Sequence, residues 1–378
     1  MQVEQPTKQQ HDSPASPVPV RPAFGQGCIT DLVPTLVGHG MVDLPAPVPA
    51  DGARLLLVLD GVGWEQLCQR SALAPTLSAM AGGPITTVAP STTAAALTSI
   101  TTGLAPAEHG IVGYRMLVDD QVLNCLRWGT EIQPDARATI PPDLIQPYPP
   151  FLGHAVPLVT KEEFRRSGFS EAHLRGSPIV GYRTTAVMIH HVARLLREGE
   201  RTLYAYYDGV DKVAHEYGLG PAYNAELAYA DRLVADVLAA VPTGTTVMVT
   251  ADHGQVDCGR NLLPVAADVM RHVARLSGEA RFRWLHARPG RAGDLAEAAR
   301  ACHSDVAWVF TVDQVVDEGW LGPRMGAEVR SRLGDVALVP FTDTGFEDPA
   351  DTGPFELIGR HGSLTAAEML VPCLSATV

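Results

Sequence analysis

Three stretches of one design constrain this chain's fold more than any other feature. "ARLLLVLDGVG" from Ala53, "RTLYAYYDGVD" from Arg201 and "GTTVMVTADHG" from Gly244 each run through strand-length apolar residues and end in acid beside small residues. A run that is apolar at successive positions suits a strand buried on both faces, as in parallel sheets covered by helices. Helical patterns separate or follow the runs, in "TTAVMIHHVARLLREG" from Thr184 and "PAYNAELAYADRLVADVLAAV" from Pro221. The predicted class is therefore a wound α/β fold, with a mostly parallel central sheet and helices on both faces. In such sheets ligands gather beyond the carboxyl ends of the strands. Asp-Gly also turns a chain for purely local reasons, but three such ends in one sheet bring carboxylates to one place.

The rest of the chain sets the limits of this core. At 378 residues it is long enough for one large domain or a core with an insertion. Residues 1–22 are polar and Pro-rich and read as a flexible leader. The core is expected over 23–258 and 356–378. Residues 259–355 read as an inserted small α/β cap, with strand, helix and strand in "RFRWLHARPG", "AGDLAEAARACHSD" and "VAWVFTVDQVV". A formal net charge of −13 argues against a nucleic-acid polymer or an anionic membrane as partner. Six cysteines stand singly, with no paired motif, and the N-terminus has no signal-peptide core. A cytoplasmic location is the expectation.

Several acids and imidazoles are spaced for one site. Asp211 and His215 are four apart and share a face of a helix. Asp252 and His253 sit together at a strand end, Asp60 ends the first run, and His361 lies among small residues in "GRHGS". Any one of them has an ordinary reading as an ion pair or a loop residue. Together they make three carboxylates and three imidazoles, enough for two divalent cations if another oxygen joins. This donor mixture suits Zn²⁺, with Mn²⁺ or Fe²⁺ as alternatives. "VAPSTTAAALTSITTG", Val88 to Gly103, holds five Thr and two Ser without one charge. It reads as a buried helix whose first turn offers a hydroxyl as the further oxygen, or whose Ser91 and Thr92 cap the helix.

"LDGVGW", "PSTTAAALTSITTGLAPAEHGIVGY", "DKVAH", "TADHG" and "RHG", in this order, resemble the motifs of the type I phosphodiesterase and nucleotide pyrophosphatase family of the alkaline phosphatase superfamily. The resemblance spans about residues 54–256 and 357–370, and it implies an alkaline-phosphatase-like core. Carried over, it makes Thr93 the nucleophile and a ligand of one metal with Asp60, Asp252 and His253. Asp211, His215 and His361 would hold the second. It implies hydrolysis of a small-molecule phosphate ester, nucleotides included, through a covalent phospho-threonine. The alternatives are a phosphomonoesterase or phosphonate hydrolase at the same site, or a non-catalytic phosphate sensor. The sulfatase motif is absent. One departure concerns Ala96, three residues after Thr93, where the resemblance implies a side-chain amide for a phosphoryl oxygen. Tyr114, Asn124, Arg127, Arg183 and His190 are the candidates to contact substrate in its place. Trp64, Tyr114 and Trp128 are candidates to stack on a base.

Overall fold

The three apolar runs become neighbouring strands of one sheet. The computed structural model describes residues 17–39, 42–351 and 356–378. In chain order its main strands are β1 (Ala53–Leu59), β2 (Ala81–Thr86), β3 (Leu158–Lys161), β4 (Ile179–Tyr182), β5 (Thr202–Tyr207), β6 (Thr245–Thr250), β7 (Val273–Glu279), β8 (Phe282–Ala287), β9 (Ala307–Thr311), β10 (Val336–Pro340) and β11 (Leu370–Thr377). The helices that matter below are α1 (Thr93–Thr102), α2 (Thr185–Arg197), α3 (Gly209–Tyr217), α4 (Pro221–Ala240), α5 (Ala292–His303) and α6 (Ala366–Met369).

The central sheet runs in the order β2-β11-β6-β1-β5-β3-β4. β1 pairs in parallel with β5 on one side and β6 on the other, and β3 is parallel to β4 and β5. Only β11 opposes its neighbours, β2 and β6. Leu55 to Leu59 of β1 are wholly buried, each contributing about 1.5–3 kcal/mol of transfer free energy as an upper bound. On α2 the buried residues Met188, Val192, Leu195 and Leu196 fall at helical spacing and define the face turned to the core. Because β1, β5 and β6 point the same way, the acids that follow them emerge at one end.

Helix α1 shows how a threonine-rich run can be core. Ala94 to Thr102 are all buried. Thr98, Thr101 and Thr102 donate their hydroxyls to the carbonyls of Ala94, Leu97 and Thr98 at 2.7, 2.9 and 2.7 Å. Each buried hydroxyl is thus satisfied one turn back. Ser99 pairs with the buried His109 at 2.9 Å.

A second, antiparallel sheet follows in the order β7-β8-β10-β9. It packs with α5 around an apolar cluster that includes Val269, Leu285, Leu295 and Phe346. Phe282, Trp284 and Val339 instead join the main core, so the two sheets share packing. The "VAWVFTVDQVV" segment leaves its strand at Thr311, whose hydroxyl accepts from the Gln314 amide and turns the chain into a helix over Val312–Asp317. Residues 17–22 correct the leader expectation. Trp308 donates its indole N–H to the Pro17 carbonyl at 2.7 Å, the Val20 amide donates to Leu364 at 2.8 Å, and Arg21 pairs with Glu318 at 2.7 Å. Residues 1–16 lie outside the described residues. No helix among the described residues is long and apolar enough to cross a membrane, and all six cysteines are unpaired.

Candidate active site

At the carboxyl end of the central sheet, Asp60 follows β1 and Asp252 and His253 follow β6. His253 Nε2 lies 3.6 Å from Asp60 Oδ1 and 3.3 Å from Asp252 Oδ2. Asp252 uses its other oxygen locally, accepting the Gly61 and His253 amides at 3.1 Å each. Asp60 likewise spends Oδ2 on the Tyr206 hydroxyl. The remaining oxygens, Asp60 Oδ1 and Asp252 Oδ2, are buried without a hydrogen-bond partner, and both face His253 Nε2.

A second group stands beside the first. Asp211 and His215 occupy one face of α3, as their spacing predicts, with His215 Nε2 at 3.3 Å and His361 Nε2 at 3.9 Å from Asp211 Oδ1. Gln255 donates to the same carboxylate at 2.6 Å. Gly61 lets α3 come this close: its φ is +74°, and a Cβ there would lie 2.9 Å from the Asp211 Cα. The rings of His253 and His361 stack with centroids 3.5 Å apart and join the two groups.

All three imidazoles are held alike. Nδ1–H of His215, His253 and His361 donates to the carbonyls of Gly359, Gly254 and Ser91 at 2.7, 3.1 and 2.9 Å. That fixes the tautomer and leaves each Nε2 lone pair facing the carboxylates, the arrangement expected of histidine metal ligands. Burial first, and then the charges of Asp252 and Asp211, push the Asp60 carboxyl well above its ordinary range. Burial also raises Asp211 and Asp252 and lowers His253 and His361. Three carboxylates crowded out of water, two with orphaned oxygens, are what a divalent cation would relieve. Within each group the ligand atoms lie within 4.8 Å of one another. The residues present therefore fit two such cations.

Thr93 is the one residue of α1 that is not fully buried, and its hydroxyl is 3.0 Å from His253 Nε2. The expectation that Ser91 or Thr92 caps the helix is not met. Thr92 holds the N-cap position but makes no side-chain cap bond. Ser91 donates its hydroxyl to the Ser363 carbonyl at 2.7 Å. The first-turn amides of α1 are left without a side-chain acceptor from either residue.

Two cavities open on Thr93, sharing Leu126 and Asp211 on their walls. The first, about 370 Å³, has Tyr114, Arg127, Glu279 and Arg360 among its lining side chains. Asn124 Nδ2 donates to the Tyr114 hydroxyl at 2.7 Å, which leaves that hydroxyl's own proton available to the cavity. Burial pushes its pKa up, keeping it protonated. The second cavity, about 250 Å³, is walled by Leu97, Phe164, Phe169, Leu174, Tyr204 and Tyr206. Of the proposed substrate contacts, Tyr114 and Arg127 face the first cavity and Asn124 stands behind Tyr114. Arg183 and His190 are exposed and line neither cavity. Ala96 is buried in the core and lines neither cavity. Trp128 is core, its indole donating to Ile140 at 2.8 Å, and Trp64 lines neither cavity.

Sequence reasoning missed Glu279, Arg360 and the apolar wall. Arg360 had a signal, its place beside His361. Glu279 had none, because it comes from β7 of the second sheet.

The family model for type I phosphodiesterase / nucleotide pyrophosphatase matches residues 54–156 and 124–363. Murine ectonucleotide pyrophosphatase/phosphodiesterase 5, solved in an inactive threonine-to-alanine form with AMP, shares 14% identity over 85% of this chain and 87% of its own, with a TM-score of 0.62. The human protein of the same name gives 16% identity, 86% and 87% coverage and a TM-score of 0.62. Phosphonoacetate hydrolase from Sinorhizobium meliloti 1021, in complex with phosphonoformate, gives 19% identity, 87% and 91% coverage and a TM-score of 0.61. At these identities the structures show the shared alkaline-phosphatase-like fold. No curated protein sequence matches.

Proposed function

The chain belongs to the type I phosphodiesterase/nucleotide pyrophosphatase family, and on that premise we propose that it hydrolyses small-molecule phosphoric diesters, nucleotide diesters among them, through a covalent phospho-threonine at Thr93. The observation that carries this is the position of the Thr93 hydroxyl, 3.0 Å from His253 Nε2 and beside two groups of side chains fit for metal. Asp60, Asp252, His253 and Thr93 would hold one cation and Asp211, His215 and His361 the other, most naturally Zn²⁺. When bound, the cations would supply charge neutralisation for an anionic substrate and for the oxygens that enter and leave phosphorus.

The chain's own groups do the rest. Thr93 Oγ forms the new bond to phosphorus as the bond to the leaving alcohol breaks, and water later cleaves the phospho-threonine. Tyr114, Arg127 and the first-turn amides of α1 are disposed to donate to phosphoryl oxygens. Leu97, Phe164 and Phe169 wall a space for the apolar part of the ester. The inactivity of the murine relative with a threonine changed to alanine supports a threonine in this role. We take residues 23–258 and 356–378 as the catalytic core, 259–355 as the insertion, and the cytoplasm as the location, given the unpaired cysteines.

A second reading, hydrolysis of monoesters or phosphonates at the same site, draws on the solved phosphonoacetate hydrolase and on two arginines, Arg127 and Arg360, that line the first cavity. A panel of aryl and nucleotide diesters, sugar nucleotides, aryl monoesters and phosphonates, run with Zn²⁺ and Mn²⁺ separately, distinguishes them. Diesters are expected to turn over fastest. A preference of an order of magnitude or more for a monoester or phosphonate would overturn the diesterase reading.

A further inference from the structure

The second sheet reaches the His361 side of the site through a fully buried ion pair, Arg281 with Glu368. Arg281 directly precedes β8, and Glu368 lies in α6, just after the His361 loop. Nε and Nη2 of Arg281 donate to the two oxygens of Glu368 at 2.7 Å each, and Nη1 donates to the Thr342 carbonyl at 2.7 Å. The same carboxylate accepts the Ser363 amide at 3.0 Å and the Thr365 hydroxyl. Every one of these donors belongs either to Arg281 or to residues 363–365.

From Ser363 the bonds run on to the catalytic groups. Ser363 accepts the Ser91 hydroxyl at 2.7 Å, and Ser91 and Gly362 exchange further bonds, Ser91 N–H to the Gly362 carbonyl at 3.1 Å and Gly362 N–H to Ser91 Oγ at 3.2 Å. His361 Nδ1–H donates to the Ser91 carbonyl, two residues before Thr93. Gly362 has φ +129°, and a Cβ on it would lie 2.9 Å from Glu279 Cδ, so the Glu279 side chain at the end of β7 lies close against this loop. An apolar pair of similar volume could fill the space of Arg281 and Glu368 without the cost of desolvating two charges. What the apolar pair could not do is hold Ser363 and Thr365.

We propose that Arg281 and Glu368 are positioning residues that fix the tautomer and direction of His361 and the register of Ser91 ahead of Thr93, without touching substrate or metal. This rests on the two-metal reading above. The test is the double variant Arg281→Met/Glu368→Met, which keeps volume, compared with the wild type as full, metal-loaded chains. Transfer of Zn²⁺ to a chromogenic chelator should show one ion leaving about 10–100-fold faster, the usual cost of losing an outer-shell partner, with the other ion unchanged. Nitrogen NMR of the His361 ring, recorded on the same chains after the metal has been removed with chelator, should show a single Nδ1–H tautomer in the wild type and a mixture in the variant. A folded variant that releases both ions at the wild-type rate and keeps the tautomer overturns the proposal. A wild-type chain that loads fewer than two ions contradicts the two-metal reading instead, and the tautomer still decides the positioning role. Should the double variant fail to fold, Glu368→Gln keeps shape and acceptor while removing charge, and the same two readouts apply.

Discussion

Thr93→Ala is expected to lower turnover by roughly 10⁴-fold or more, the scale on which removal of a covalent nucleophile acts, while the chain still carries two metal ions. Two facts about Thr93 lead to this. Its hydroxyl is the only one of the α1 run that is both off the core and beside His253 Nε2, so no neighbouring hydroxyl can take its place. Thr98, Thr101 and Thr102 are buried and committed to carbonyls within the helix. Its loss removes one neutral oxygen from a group that retains Asp60, Asp252 and His253, and so metal content should survive. Turnover of an aryl diester and metal analysis on the same preparation check both halves. Substantial activity in the variant would end the assignment of Thr93 as nucleophile.

Asp252→Asn should act in the opposite way, on metal first. Asp252 Oδ1 is held by the Gly61 and His253 amides, which an Asn oxygen can also accept, so the local backbone should keep its shape. Oδ2 is the orphaned oxygen, and the substitution puts an uncharged NH₂ in its place or turns it toward the two amides. One ion should be lost, and turnover should fall by more than the roughly 10–100-fold that outer-shell partners cost. Stability provides a second readout with a sign. In chelator, the wild type must bury three mutually repelling carboxylates, and the variant one fewer. The variant should therefore unfold at an equal or higher temperature than the wild type in chelator, and at a lower one when both are saturated with Zn²⁺. A variant that is less stable in both conditions would show that Asp252 serves the fold rather than a cation.

The parts of this molecule that were legible in its sequence are those where one residue type has one physical use. Apolar runs ending in acid became β1, β5 and β6, because strands buried on both faces tolerate little else. Asp211 and His215 converge because helical spacing alone puts them on one face. His361 was visible only as an imidazole that packing did not require. The rest depended on contacts between distant segments. The apolar cavity draws Leu97 from α1, Phe164 and Phe169 from two short helices after β3, and Tyr204 and Tyr206 from β5, and no local pattern announces such a wall. Glu279 and Arg281 act across the boundary between two sheets, where sequence spacing carries no information. Ala96 stands three positions along α1 from Thr93, and its own side chain lies in the core. The Pro-rich start suggested a leader, but the backbone of residues 17–20 finds partners in Trp308 and Leu364.

The central claim is that phosphorus is bonded to the protein midway through the reaction. Hydrolysis of a diester with a stereogenic phosphorothioate, in isotopically labelled water, tests this most directly. Two in-line displacements, first by Thr93 and then by water, give net retention of configuration at phosphorus, and retention is the expected result. Net inversion would mean a single direct attack by water, and it would contradict the phospho-threonine intermediate outright.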